Sequence, residues 1–392
     1  MMRTPQRGLT LIELMVALVI GLAVTLVVTT LLIAGENHKR TTTSTNDADQ
    51  TGSYAFYALD RALRNAGSGI AESADVGVLG CKLNVNALLP RAAAFPAPFA
   101  TKFLGAAPAD LRIAPVLIGS NQSDNNTSDV LVVMGGTGAG GGVPRAINGP
   151  GDANTLILQT TVGIFKDDLV LVSQPTTPNA DCLLEQVNAA PASPKLTLGG
   201  NVYYTQTGSA TTLATLAGSV ANYVTPLGNA QANNVQFQLF GVGTNNTLYS
   251  YDLLQNQLKV QGTGADTSQA IADGVVLLKA LYGVQVTGAP GILSSWADPA
   301  IAPYDINTVM VTPATMRSII AVHVALIVRG EYYDKNVVSP VQLNYFTGYA
   351  DAAGNSLAQT YALTTTPDQR HYRYRVYEFT VPLRNMLILP AT

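Results

Sequence analysis

Two patterns divide this chain. Near its start, residues 14–35 carry no charge, and at about 1.5 Å per helical residue such a run covers roughly 30 Å, the thickness of a bilayer's hydrocarbon core. Further on, Tyr54, Ala55, Ala58, Leu59, Ala62, Leu63 and Ala66 recur at helical spacing, with Asp60, Arg61 and Arg64 on the opposite face. Gly67-Ser68-Gly69 ends this element. Residues 38–50 between the two runs are polar and contain neither Pro nor Gly, so one helix is expected to continue through them. The threonines at 41–43 and 45, and Gly52, are the places where it could break. Unbroken from 9 to 66, the helix would be a rod of roughly 85–90 Å.

From about residue 70 the period shortens to that of strands between turn signals. The expected strands are 130–134, 155–159, 169–172, 195–198, 235–240, 247–253, 257–261, 275–282, 319–328 and 372–381. A Pro/Ala-rich loop fills 89–100, and no internal repeat is evident. The expectation is an α+β fold, with a long N-terminal helix, membrane-spanning in its first half, packed on a large antiparallel β-rich head. The boundaries expected are 1–8 for a leader, 9–34 for a transmembrane and assembly helix, 35–66 for its amphipathic continuation, and 67–392 for the head.

One carboxylate, Glu13, stands at the head of the apolar run, and the segment before it carries Arg3 and Arg7 with no acid. A cleaved secretory signal would have this basic start, but its peptidase needs small residues one and three positions before the cut, and Leu32-Ile33-Ala34 does not supply them. A plain uncleaved anchor accounts for the length and leaves Glu13 unexplained, because a carboxylate in an apolar segment is costly and marks a function. Arg3 and Arg7 place the N-terminus in the cytoplasm by the positive-inside rule, though Lys39 and Arg40 blur the asymmetry.

Gly8-Leu9-Thr10-Leu11-Ile12-Glu13-Leu14-Met15-Val16 resembles the class III signal of type IV prepilins and of type II secretion pseudopilins. The resemblance implies a cut by prepilin peptidase between Gly8 and Leu9, N-methylation of Leu9, and an assembly role for Glu13. The family usually has Phe where Leu9 stands. Cleavage on the cytoplasmic side would leave the apolar helix attached and create a positive amine at Leu9. A buried Glu13 needs a cationic partner, since an unpaired charge in low dielectric costs several kcal/mol. The amine of a neighbouring subunit would supply it and set the register of assembly. The alternative is that Glu13 stays solvated at headgroup level.

Composition narrows the remainder. Only 12% of residues are charged and the net charge is −3, which gives no basic field for nucleic acid; none is expected as a partner. The length of 392 residues is ample for a core. Cys81 and Cys182 are an even pair, expected to form one disulfide in an oxidising compartment, with two buried free thiols as the alternative. With only His38, His323 and His371 besides, no metal site and no cofactor are expected.

Three apparent motifs read more simply as structure. Gly136-Thr137-Gly138-Ala139-Gly140-Gly141 fits a dinucleotide fingerprint but is followed by Gly142-Val143-Pro144 and no helical period, so a flexible turn is expected. Asp124-Asn125-Asn126-Thr127-Ser128-Asp129 offers oxygen ligands without the glycine and late Glu of a calcium loop; a polar hairpin loop is expected. His371-Tyr372-Arg373-Tyr374-Arg375-Val376-Tyr377 mixes cations and rings as single-strand binders do. Strand alternation accounts for it, with Arg373 and Arg375 on one face and Tyr372, Tyr374 and Val376 on the other. No catalytic constellation emerges, and an enzyme is not expected.

Leu59-Asp60-Arg61-Ala62-Leu63-Arg64-Asn65-Ala66-Gly67, Ser128-Asp129-Val130-Leu131-Val132-Val133, Ala180-Asp181-Cys182, residues 321–329 and Val381-Pro382-Leu383-Arg384-Asn385 together resemble PilW-type minor pilins. That implies a low-abundance subunit joining other minor pilins in a complex that primes pilus assembly, at the tip. Its implied partners are those pilins, the major pilin, prepilin peptidase and the inner-membrane assembly platform. The implied location is the bacterial inner membrane, head periplasmic, and then the pilus. The alternatives are a J-type pseudopilin of type II secretion and, in a different class, a tip adhesin.

Overall fold

The computed structural model describes residues 10–84, 95–99, 103, 112–137, 141–177, 180–199, 203, 211–229, 231–232, 234–254, 268–363, 367–387 and 389. The first element, α1 (Leu11–Asn65), is a single unbroken helix of 55 residues, roughly 80 Å long. The threonine-rich middle does not interrupt it. The Thr42 hydroxyl donates to the carbonyl of His38 at 3.0 Å, inside the helix. Beyond Asn65 the chain turns through Gly67 and Gly69, both at positive φ, a conformation that needs no β-carbon.

The head follows as β1 (Lys82–Asn84), β2 (Val116–Gly119), β3 (Val130–Gly136), β4 (Arg145–Asp152), β5 (Thr155–Leu158), β6 (Asp168–Ser173), β7 (Asp181–Gln186) and β8 (Lys195–Thr197). A short α2 (Leu213–Ala217) leads to β9 (Tyr223–Asn229), β10 (Val235–Val242), β11 (Thr247–Asp252), β12 (Gln269–Asp273), β13 (Val275–Val286) and β14 (Ala289–Ala297). Two helical turns, α3 (Ile306–Val311) and α4 (Pro313–Ser318), precede β15 (Ile319–Arg329), β16 (Gln342–Tyr345), β17 (Gln359–Ala362) and β18 (Tyr374–Pro382).

These strands form a seven-stranded sheet in the order β1-β7-β6-β9-β4-β5-β8, a five-stranded sheet β12-β11-β10-β3-β2, a four-stranded sheet β14-β13-β15-β18, and the hairpin β16-β17. Among the described residues β1 and β7 pair in parallel and the other strand pairs are antiparallel. One core joins the second half of α1 to the five- and four-stranded sheets and to one face of the seven-stranded sheet. A second core fills the other face of the seven-stranded sheet under α2, and a third lies between the four-stranded sheet and the β16-β17 hairpin. The fold is therefore α+β, as the sequence pattern predicts.

Every expected strand on described residues is present; 257–261 lies outside them, as does much of the expected loop at 89–100. Three of the strands that the pattern does not reveal carry Pro or Gly inside them. Pro226 lies in β9 beside a register shift against β6, where a bulge tolerates a residue without an N–H. β4 contains Gly149, Pro150 and Gly151, and β14 contains Pro290 and Gly291.

The buried face of α1 keeps Ala55, Leu59, Ala62, Leu63 and Ala66 of the expected stripe and extends it toward the N-terminus. The positions turned inward are Ser44, Ala48, Gly52, Ala55, Leu59, Ala62, Leu63 and Ala66, whereas Tyr54 is 57% exposed and Ala58 half-buried. The stripe begins with small and weakly polar residues that hydropathy does not mark. They are small because the helix lies close on β18, β15, β12 and β3.

Candidate assembly site

The N-terminus of α1 is closed by a capping box. The Thr10 hydroxyl accepts from the Glu13 backbone N–H at 3.3 Å, and Glu13 Oε2 accepts from the Thr10 backbone N–H and hydroxyl, both at 3.0 Å. This satisfies helix N–H groups that otherwise have no partner. It also draws the Glu13 carboxylate to within one residue of position 9. Gly8 and Leu9 themselves lie outside the described residues.

Behind the cap, the apolar half of α1 is left uncovered by the described residues. Its most apolar window, of mean hydropathy 2.8, is 0% buried, and Leu11, Ile20, Leu26 and Leu32 are each more than half exposed. The polar groups inside this stretch are consumed locally. Thr25 donates to the Gly21 and Leu22 carbonyls at 3.0 and 2.9 Å, Thr29 to the Thr25 carbonyl, and Thr30 to the Val27 carbonyl at 2.8 Å. No hydroxyl then needs water, the condition for a helix in hydrocarbon. Past Gly35 the surface turns polar, with Glu36 and Arg40 paired at 3.2 Å on the outside.

The second half of α1 is sewn to β18. The Tyr377 hydroxyl donates to Asp49 Oδ1 at 2.6 Å and to the Ala48 carbonyl at 3.3 Å. Arg375 lies 3.5 Å from the same Asp49 carboxylate, and Arg373 donates to the Thr41 hydroxyl at 3.2 Å while pairing with Asp334 at 3.2 Å. Phe379 packs edge-on against Phe56 with ring centroids 4.3 Å apart. Arg373, Arg375 and Tyr377 of the basic, aromatic run at 371–377 are thus spent on holding the helix. Its alternation holds as expected, Arg375, Tyr377 and Phe379 meeting α1, and Tyr374 and Val376 filling the core under the hairpin. Tyr372 precedes the strand, and the Arg329 guanidinium lies 4.5 Å over its ring.

Two further features fix the head. Cys81 and Cys182 form a disulfide across a separation of 101 residues, tying the segment after α1 to β7. Burial encloses Asp129 and Lys279, whose charges meet at 2.7 Å. Asp129 also accepts from the Asn121 and Ala280 N–H groups at 3.0 Å each, and Lys279 reaches Asn121 Oδ1 at 2.8 Å. The acidic loop therefore has its last carboxylate committed to an ammonium and to backbone, while Asn125 closes the loop on Ser128. Of the glycine-rich stretch at 136–141, Gly136 ends β3 and Gly141 stands in a turn at positive φ; residues 138–140 lie outside the described residues. The residues that sequence reasoning missed are those of the suture: Thr41, Ser44, Asp49, Gly52 and Gly330. No local signal marks them, because their partners lie about 300 residues away in the chain.

A long helix, apolar and uncovered over its first half and fixed to a β-rich head over its second, following a prepilin signal, is the plan of the type IV pilin class. Residues 239–385 match the family model described as Type IV Pilus-assembly protein W, and residues 3–34 match that of the prokaryotic N-terminal methylation motif. Together the two matches support a type IV pilus minor pilin of the PilW type. Comparison with curated proteins and with solved structures finds no match. The matched region contains β11 to β18, on which much of α1 rests; the seven-stranded sheet, built from residues 82–229, lies outside it. The N-terminal helix and the prepilin motif point to membrane anchoring and a pilus, and the family to pilus-related partners and a structural role.

Proposed function

We propose that this chain is a subunit of a minor-pilin complex that primes type IV pilus assembly and remains at the tip. Prepilin peptidase cuts between Gly8 and Leu9, Leu9 is methylated, and α1 holds the protein in the inner membrane with the head periplasmic until assembly. The observation that carries this reading is the uncovered apolar half of α1, continuous with a half that is fastened to the head. Such a helix needs an apolar environment, first of lipid and then of other subunits' helices. Within that bundle Glu13 pairs with the Leu9 amine of a neighbour, which aligns the subunits and removes an otherwise unpaired buried charge. The broad head, larger than the region matched by the family model, supports a terminal position, where its width does not have to repeat along a filament.

The test is intact mass and N-terminal sequencing of membrane-extracted protein from cells with and without prepilin peptidase, combined with cross-linking to co-expressed minor pilins. The expected product starts at methylated Leu9 and cross-links to other minor pilins through α1. An uncleaved Met1 start, or a cut near Ala34, would overturn the pilin route. Correct processing with cross-links along the filament shaft would overturn the tip position.

A further inference from the structure

The segment from Glu331 to Val341 presents Tyr332, Tyr333, Val337 and Val341, each 47–52% exposed. These side chains are carried on a fixed plate. The Asp334 N–H donates to the His371 carbonyl at 2.8 Å, and those of Val338 and Ser339 to the Arg370 carbonyl at 3.0 and 3.1 Å. The Tyr333 ring stacks on the His371 ring, centroids 4.9 Å apart and planes 11° from parallel. So much exposed apolar surface on an ordered segment calls for a partner.

The position of the plate identifies that partner. It is joined to α1 at Thr41, through Arg373, and at Ser44, against which Gly330 lies so closely that a β-carbon there would overlap the serine hydroxyl. Between plate and helix lies a cavity of about 510 Å³, lined by Tyr332, Tyr333 and Lys335 on one side and by Ile33, Glu36 and Arg40 on the other. Ile33 is the last large apolar residue of the uncharged run, and the eight residues from it to Thr41 rise roughly 12 Å. A bilayer's polar layer is about 5–8 Å deep on each side of the hydrocarbon. The join at Thr41 thus stands a few ångströms beyond that layer, but the plate shares its cavity with Ile33 and Glu36, and on that side it faces the depth where Tyr rings are favoured, one edge apolar and the hydroxyl wet.

The charges around the cavity agree. Arg40 is paired with Glu36 and Arg373 with Asp334, Glu331 is exposed at the edge of the plate, and exposed Lys335 has no ion pair among the described residues.

We propose that the 331–341 plate docks into the headgroup layer of the membrane that anchors α1, with Tyr332, Tyr333 and Val337 in the interface and Lys335 on a phospholipid phosphate. The proposal rests on the anchoring of the apolar half of α1. Docking would fix the tilt and facing of the head before assembly, and the plate would leave the lipid as the subunit enters a filament.

The test uses full-length protein in vesicles of three parts phosphatidylethanolamine to one part phosphatidylglycerol, with a spin label on one of three variants, Leu26→Cys, Val337→Cys or Val220→Cys. Collision with oxygen and with an aqueous nickel chelate reports depth. Val220 is 66% exposed, just before β9, and serves as the aqueous reference. The expected result is a deep label at 26 and an interfacial one at 337, with less nickel and more oxygen contact than at 220. Adding Lys335→Glu should move the 337 label toward water. A deep label at 26 with an aqueous label at 337 would overturn the docking and leave the anchor standing. An aqueous label at 26 would overturn the anchor and the docking with it. A label at 337 shielded from both reagents, in detergent as in vesicles, would assign the plate to a second copy of the chain and overturn the lipid contact.

Discussion

The α-carbon of Gly52 faces the ring of Tyr377 so closely that a β-carbon on residue 52 would fall inside it. The same tyrosine reaches past the glycine to bond Asp49 and the carbonyl of Ala48. A glycine in mid-helix ordinarily weakens the helix by about 1 kcal/mol relative to alanine. Here it creates the gap through which strand and helix are fastened, between the part of the chain that enters the membrane and the part that does not.

Gly52→Ala should therefore destabilise the protein by about 1–3 kcal/mol, as overpacking does, in spite of its better helix propensity. Gly35→Ala, where nothing lies within 4 Å of the added carbon, should be neutral or stabilising by up to about 1 kcal/mol. Thermal melts of the two variants in the same detergent check the opposite signs. A stabilised Gly52→Ala would show that the helix does not rest on Tyr377.

Loss of the disulfide should act on the head alone. The Cys81→Ser, Cys182→Ser double variant is expected to lose about 2–5 kcal/mol, since the bridge restrains a long loop of the unfolded chain. Urea titration of oxidised and variant protein measures it. Reducing agent should lower the stability of the natural chain by a comparable amount and leave the variant unchanged.

Lys279→Met leaves the Asp129 carboxylate buried with only backbone donors, and should cost about 3–5 kcal/mol. Replacing both, Asp129→Asn with Lys279→Met, should recover part of that loss because the orphaned charge is gone. A double-mutant cycle of denaturation midpoints gives the coupling. Additive losses would show that the pair is not a unit.

His323 should make the head less stable in mild acid. Its ring nitrogens meet Thr380 Oγ1 at 2.8 Å and Glu378 Oε2 at 3.0 Å, and Tyr349 stacks on the ring at 4.1 Å. Burial lowers its pKa below the ordinary 6.5, against the opposing pull of Glu378. The unfolded chain then takes up a proton that the folded one refuses, so stability is full above pH 6.5 and falls as the pH drops toward the folded value. Melting temperatures across this range should decline, and His323→Gln should flatten that decline.

Glu13→Gln should leave folding and membrane insertion intact, because the side chain is exposed and a neutral carboxamide can still accept from Thr10. It should abolish pairing with a neighbour's amine, and with it piliation, counted by electron microscopy in a strain whose only copy is the variant. Normal piliation with glutamine would show that the charge at Glu13 is not needed for assembly.

The parts of this protein legible in one dimension are those whose causes are local. An uncharged run of this length needs no partner to be read as a membrane helix, and the signal around Gly8 and Glu13 is contiguous. Strands such as β3, β13 and β15 are apolar enough to be found without knowing their neighbours. Strands built with Pro226 or Gly149 escape, because a local register shift, not propensity, permits them.

The sequence by itself determined that there is a long helix, a β-rich head and one pair of cysteines, since composition and period act over a few turns of chain. Only the tertiary structure decided that the buried stripe of the helix reaches back through Ala48 to Ser44, that Arg373, Arg375 and Tyr377 clamp it, and that Asp129 is matched by Lys279. Each depends on groups far apart in the chain meeting within a few ångströms. Packing sets that distance and hydropathy does not encode it, so Ser44 and Gly52 look like weak points in the helix until β18 lies against them.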